Sequence, residues 1–163
     1  DAYERQVDRL LHEEPYRTRH AEHFARVWLD LARYADTSGI HMDAGRQAWA
    51  WRDWLLHALR DDLPYDRFVV EQLAGDLLPD ATPQQHVATG FLRQHVTTDE
   101  GGAIDEEYRV EYAAERVATV GSVFLGLTLG CARCHDHKYD PISQADFYRL
   151  FAFFNSNDEP GLY

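Results

Sequence analysis

Cysteine is scarce in this chain: there are two in 163 residues. Two allow one bridge at most, which excludes a disulfide-built mini-fold. Methionine occurs once, and basic charge is short, with 16 Lys and Arg against 28 Asp and Glu for a formal net charge of −12. That balance argues against an electrostatic grip on nucleic acid or on an anionic membrane, since both need a basic face. No uninterrupted apolar run approaches the ~20 residues that cross a bilayer. The longest, residues 123–129, is broken by Gly126 and Thr128. Period-2 alternation, internal repeats and low-complexity tracts are missing as well. No basic-then-apolar leader precedes Asp1, so the expectation is a processed chain or a domain cut from something longer.

What is present suffices for a core. Hydrophobic residues make up 45% and aromatics 13% of the chain, which excludes intrinsic disorder. The length suits one domain, residues 1–163. The spacing is helical nearly throughout. Val7, Leu10 and Leu11 mark a first helix that Pro15 ends, and Phe24, Val27, Trp28, Leu31 and Tyr34 trace one face of a second. A third carries Trp51, Trp54, Leu55, Ala58 and Leu59, and Pro64 opens a fourth with Phe68, Val69, Leu73 and Ala74. Thr82 caps a short helix with Pro83 at its first position. After a polar turn at residues 97–102, a long helix is expected over 105–129, with Ala113, Ala114, Val117, Val120 and Gly121 on its buried side. Ser143 is the expected N-cap of a last helix with Phe147, Leu150, Phe151 and Phe154 inward. The fold class is therefore all-α, with about seven helices in a single domain.

Both cysteines fall in one place, Cys131-Ala132-Arg133-Cys134-His135. This is the C-x-x-C-H pattern of covalent haem c attachment. Two thiols at this spacing add to the two vinyl groups of one porphyrin, and the adjacent imidazole reaches the iron from one face. Other readings compete. A thioredoxin-like pair wants a strand–helix context that the sequence lacks. A zinc site from Cys131, Cys134, His135 and His137, in a zinc-binding interaction module, would crowd its ligands, where zinc sites draw their second pair from a distant segment. Structural, unreactive cysteines are the bland alternative.

At this motif the chain resembles a known family. Residues 126–143, together with 28–36, 71–79, 88–91 and 148–154, resemble the second PSCyt-type family of planctomycete-type cytochromes, and the likeness runs from about residue 20 to 159. The resemblance implies a haem c domain unlike the small standard cytochrome c fold, its helices arranged around the covalent cofactor. It also implies a piece of a larger multidomain secreted protein, beside another haem c domain. It does not specify a reaction.

His135 is the proximal iron ligand by position. His137 stands too close in sequence to reach the opposite face, and with Asp136 and Asp140 it reads as support for that ligand. The sixth-ligand candidates are His95, His41 and Met42, and the resemblance favours the two histidines; an open iron is a fourth option. The ordinary reading of His95 is a helix C-terminal residue that suits the dipole, and that of Met42 a loop contact. His12, His20, His23, His57 and His86 read as surface or capping residues. Trp28, Trp49, Trp51, Trp54 and Phe124 would suit a haem pocket, but aromatics at helical spacing are more often core. Glu106, Glu107, Glu111 and Glu115 read as a solvated acidic face. Asp99, Glu100, Asp136 and Asp140 raise a Ca²⁺ site, without the roughly twelve-residue loop pattern that such sites use.

Two functions follow. One is an electron-transfer domain in the periplasm or at the cell surface, since haem c is attached outside the cytoplasm. Its acidic surface would favour a basic redox partner, either a separate protein or a neighbouring domain. The other is a haem enzyme, or the electron-accepting part of an oxidoreductase acting on an organic, carbohydrate-like substrate.

Overall fold

The computed structural model describes residues 1–98 and 100–157. Seven α-helices, joined by short 3₁₀ and π-type turns, account for its regular structure. They are α1 (Ala2–His12), α2 (Tyr16–Ala32), α3 (Trp49–Arg60), α4 (Tyr65–Ala74), α5 (Pro83–Ala88), α6 (Asp105–Val120) and α7 (Gln144–Ala152). Among the described residues there is no strand, only an isolated antiparallel bridge between Thr37 and Gly45. The all-α expectation therefore holds. Among the same residues no helix is long and apolar enough to cross a membrane.

The chain forms two compact units: Asp1–Tyr34 with Ala48–Arg93, and Ala35–Gln47 with Gln94–Tyr163. The first holds α1 to α5. Asp1 and Glu4 close a capping box on α1, and Thr82 and Gln85 close another on α5, with Pro83 in its first turn. The face that α2 buries is not the one that its large side chains suggest. Ala21, Ala25 and Ala32 are buried, whereas Phe24, Val27 and Leu31 are about half exposed. Alanines bring the α2 backbone close to its neighbours, so the bulky stripe ends up on the outside. The aromatics supply the core from elsewhere. Trp28 meets Phe68 edge-on at 5.0 Å, and Trp54 stacks on Phe68 at 5.7 Å. Trp28 Nε1 donates to Gln72 Oε1 at 3.0 Å, and Gln72, fully buried, donates from Nε2 to the Phe68 carbonyl at 3.1 Å. Trp51 lies against Gly90, where a Cβ would come within 2.9 Å of the Trp51 Cβ. Trp51 and Trp54 are thus core residues of this unit, Trp28 is half-buried, and Trp49 is 51% exposed.

The second unit is built on α6 and α7. Its core joins Ala114 and Val117 of α6 to Leu129, Ala132 and Phe147. The helix expected over 105–129 is shorter in the structure. It is α-helical to Val120, continues as a wider turn over Gly121–Leu125, and stops at Gly126 with φ 65°. The Leu127 amide then donates back to the Gly121 carbonyl at 2.9 Å, closing the C-terminus around the left-handed Gly126. That reversal lays Leu129 against Gly121.

Candidate functional site

Cys131 stands on a short turn, Leu129–Arg133, that follows the reversal, and Cys134 is the residue that caps its end. Leu129 and Ala132 face inward, with Ala132 wholly buried. Because these two anchor the turn, Cys131 and Cys134 face outward; both are exposed and neither is bridged. Arg133 fixes the turn through both its side chain and its backbone carbonyl. Its guanidinium grips both carboxylate oxygens of Glu111 on α6, one of them at 2.8 Å. Its carbonyl accepts from Gln144 Nε2 and from the Tyr148 hydroxyl of α7, each at 3.1 Å. The Arg133 guanidinium also holds the Glu111 carboxyl below its ordinary range, and the carboxylate in turn raises Arg133.

Glu111 is thus not part of a solvated acidic face, as its spacing suggests: it clamps the cysteine turn. No local pattern announces this, because the partners lie 22 residues apart. Glu106 behaves as expected, paired with Arg109 at the surface.

His135 is exposed, and its Nδ1 lies 2.7 Å from the Asp136 carbonyl. A carbonyl only accepts, so Nδ1 carries the proton and Nε2 keeps its lone pair. Asp136 Oδ1 accepts the amide of Gln144 at 2.8 Å, at the start of α7. Ser143 and Asp146 cap the same helix with a capping box, as the sequence predicts for Ser143. Two hydrogen bonds from Ser143, then one from Arg149, lower the Asp146 carboxyl. His137 is turned inward, and its Nδ1 faces the amides of Asp140 at 2.9 Å and Tyr139 at 3.3 Å. A hollow of about 250 Å³ opens beside the turn, lined by Leu129, Pro141, Ile142, Asp146, Phe147 and Leu150.

The three sixth-ligand candidates differ sharply. His95 is buried, 2% exposed. It follows the helical turn Thr89–Arg93 rather than ending it. Its Nδ1 lies 2.9 Å from the Val96 carbonyl, its Nε2 lies 2.9 Å from a guanidinium nitrogen of Arg116, and its ring stacks on Tyr112 at 4.5 Å. Since Arg116 only donates, the Nε2 lone pair is already engaged. His41 and Met42 sit on an exposed loop, where His41 Nδ1 lies 3.3 Å from Glu100 and Met42 is 80% exposed. His12, His20, His23, His57 and His86 are all exposed, and Phe124 is half-buried.

Among the described residues no three His, Cys, Asp or Glu side chains group to hold a metal ion. The zinc arrangement of Cys131, Cys134, His135 and His137 is therefore not assembled. Nor is a Ca²⁺ cluster of Glu100, Asp136 and Asp140; Asp99 lies outside the described residues. Covalent haem asks for something else: two accessible, unpaired thiols three residues apart, and an imidazole with one nitrogen held and the other open. Cys131, Cys134 and His135 meet that demand.

No curated protein and no solved structure matches this sequence. The model of the family described as "PSCyt2: Protein of unknown function (DUF1549)" matches residues 1–159, nearly the whole chain, and the chain belongs to that family, whose name is of the planctomycete cytochrome type.

Proposed function

We propose that the chain is a c-type cytochrome domain that carries one covalent haem and passes single electrons to a redox partner, a protein or a neighbouring domain, in the periplasm or at the cell surface. The observation that carries this reading is the turn itself. It presents two free thiols outward, and beside them stands His135, with Nδ1 tied to a carbonyl and Nε2 open. Cys131 and Cys134 would hold the haem, each thiol adding across one vinyl group with its sulfur on one carbon and its proton on the other, which would consume no oxidant. When bound, the haem supplies a one-electron iron couple.

The chain's own residues do the rest. Ala132 and the Glu111–Arg133 clamp hold the cysteine turn in place. The bond from His135 Nδ1 fixes the ring's tautomer and raises the basicity of Nε2. His41 and Met42 offer exposed donors for a sixth ligand, whereas His95 is engaged by Arg116. A net charge of −12 steers a basic partner and makes its association slow as salt rises.

The test is production alongside haem c attachment machinery, followed by intact mass and a pyridine haemochrome spectrum. The expected result is the chain plus one haem, with covalent attachment lost in the Cys131→Ala, Cys134→Ala double variant. A wild-type mass equal to the bare polypeptide would overturn the reading.

A further inference from the structure

We infer that His137 is a positioning residue for the His135 imidazole, acting through Nδ1 as an acceptor for backbone amides. The inference rests on the cytochrome reading for its consequence at the iron, but not for the loop geometry beneath it.

The two histidines of His135-Asp136-His137 are held in opposite tautomers. His135 Nδ1 faces a carbonyl and must donate. His137 Nδ1 faces two backbone N–H groups, Asp140 at 2.9 Å and Tyr139 at 3.3 Å, and must accept. The neutral His137 ring therefore carries its proton on Nε2. Its side chain is only 8% exposed, so the ring serves as a fixed post about which residues 137–142 wind. Asp140 Oδ2 also lies 3.3 Å from Nδ1, but a carboxylate and a ring lone pair are both acceptors. The link to Asp140 thus runs through its amide, not its carboxylate.

The loop transmits this order to His135 through one peptide plane, the Asp136–His137 bond. Its N–H donates to the Ile142 carbonyl at 2.8 Å, while its C=O accepts from His135 Nδ1 at 2.7 Å. Ile142 is itself placed by its amide donating to the Asp140 carbonyl at 2.7 Å. The path is closed: the His137 ring holds the Asp140 amide, Asp140 holds Ile142, Ile142 fixes the peptide plane, and that plane orients the His135 ring. Of the two neighbouring imidazoles, only His135 can then offer Nε2 to iron.

Asparagine and glutamine separate the two nitrogens, because Asn places its amide oxygen near the Nδ1 position and Gln reaches only the Nε2 position. In the unloaded chain, His137→Gln and His137→Leu are expected to speed exchange of the Asp140 amide at least tenfold. His137→Asn and Asp140→Asn should leave it near wild type. In the haem-loaded chain, His137→Leu should raise the reduction potential and alter the ferric g-values, because His135 loses its second bond and with it ligand basicity. His137→Asn should restore both. Glutamine rescuing where asparagine fails, or Asp140→Asn behaving like His137→Leu, would overturn the inference. So would an unchanged potential and g-values in His137→Leu. If wild-type chain takes up no haem, the cytochrome reading falls, and the amide exchange still decides whether His137 organises the loop.

Discussion

Substituting Gly121 tests how tightly the cysteine turn is tied to α6. Its backbone is ordinary right-handed helix, φ −58° and ψ −50°, so alanine meets no conformational strain and gains about 1 kcal/mol of helix preference. Space decides against it. A Cβ there would lie 2.5 Å from Leu129 Cγ and 2.7 Å from its Cδ1, with the Leu127 carbonyl at 3.2 Å on another side. Leu129 is 6% exposed and packed in the core, so it yields only by dragging the turn with it. Overpacking of this kind costs about 1–3 kcal/mol. With the helix gain set against it, Gly121→Ala should destabilise the second unit by up to about 2 kcal/mol. Leu129→Ala alone should cost about 2–5 kcal/mol through the cavity it leaves. Together the two should cost less than their sum, by about 1 kcal/mol or more, because the smaller residue makes room for the new methyl. Urea titration of the unloaded chain, read by exchange of the buried α6 amides, reports the unit that holds the contact. A Gly121→Ala variant more stable than wild type, or strict additivity in the double variant, would refute the reasoning.

Three further outcomes are expected. Glu111→Gln should lower stability by no more than about 1 kcal/mol at neutral pH, since both partners of the pair are more than a third exposed. Because the folded Glu111 carboxyl is depressed below 4.5, the wild-type advantage should be complete above that value and vanish as pH falls through the lower folded one, which acid titrations of the two proteins compare. Trp28→Phe keeps the ring but removes the donor to the buried Gln72 oxygen, so the first unit should lose about 1–3 kcal/mol in thermal or urea unfolding. His95→Ala takes away one acceptor of the buried Arg116 guanidinium and should cost about 2 kcal/mol, while the spin state of the loaded iron, read by optical and electron-spin spectra, stays unchanged.

Local chemistry was legible from the sequence, and long-range packing was not. Thr82 before Pro83, and Ser143 three residues before Asp146, announce their helix starts because a cap is a contact between neighbours. The end of α6 lies at Val120, short of the expected 129, and Gly126 ends the wider turn that continues it: the apolar spacing runs on past the glycine, and only its positive φ shows that the helical course stops there. On α2, large side chains signalled burial, whereas the fold buries the small ones, since which face is covered depends on what packs against it. At the site, the spacing of Cys131, Cys134 and His135 stands in the sequence itself, and the fold leaves all three exposed. The parts that hold them were not legible. Glu111 and Tyr148 reach Arg133 from 22 residues before and 15 after, and the Arg116 that occupies His95 lies 21 residues on.

The burial of Ala132 gives the two positions between the cysteines opposite mutational tolerances. In the bare pattern both are open to any residue. Here Ala132 is sealed in the core, so any larger side chain should displace the turn, and only glycine should pass selection. Arg133 lies at the rim, and its constraint is exchangeable: reversing the pair, with Arg at 111 and Glu at 133, keeps the clamp's charges while changing both residues. A C-x-x-C-H turn transplanted from a cytochrome would therefore be accepted or rejected here by the residue after its first cysteine, and not by the cysteines themselves.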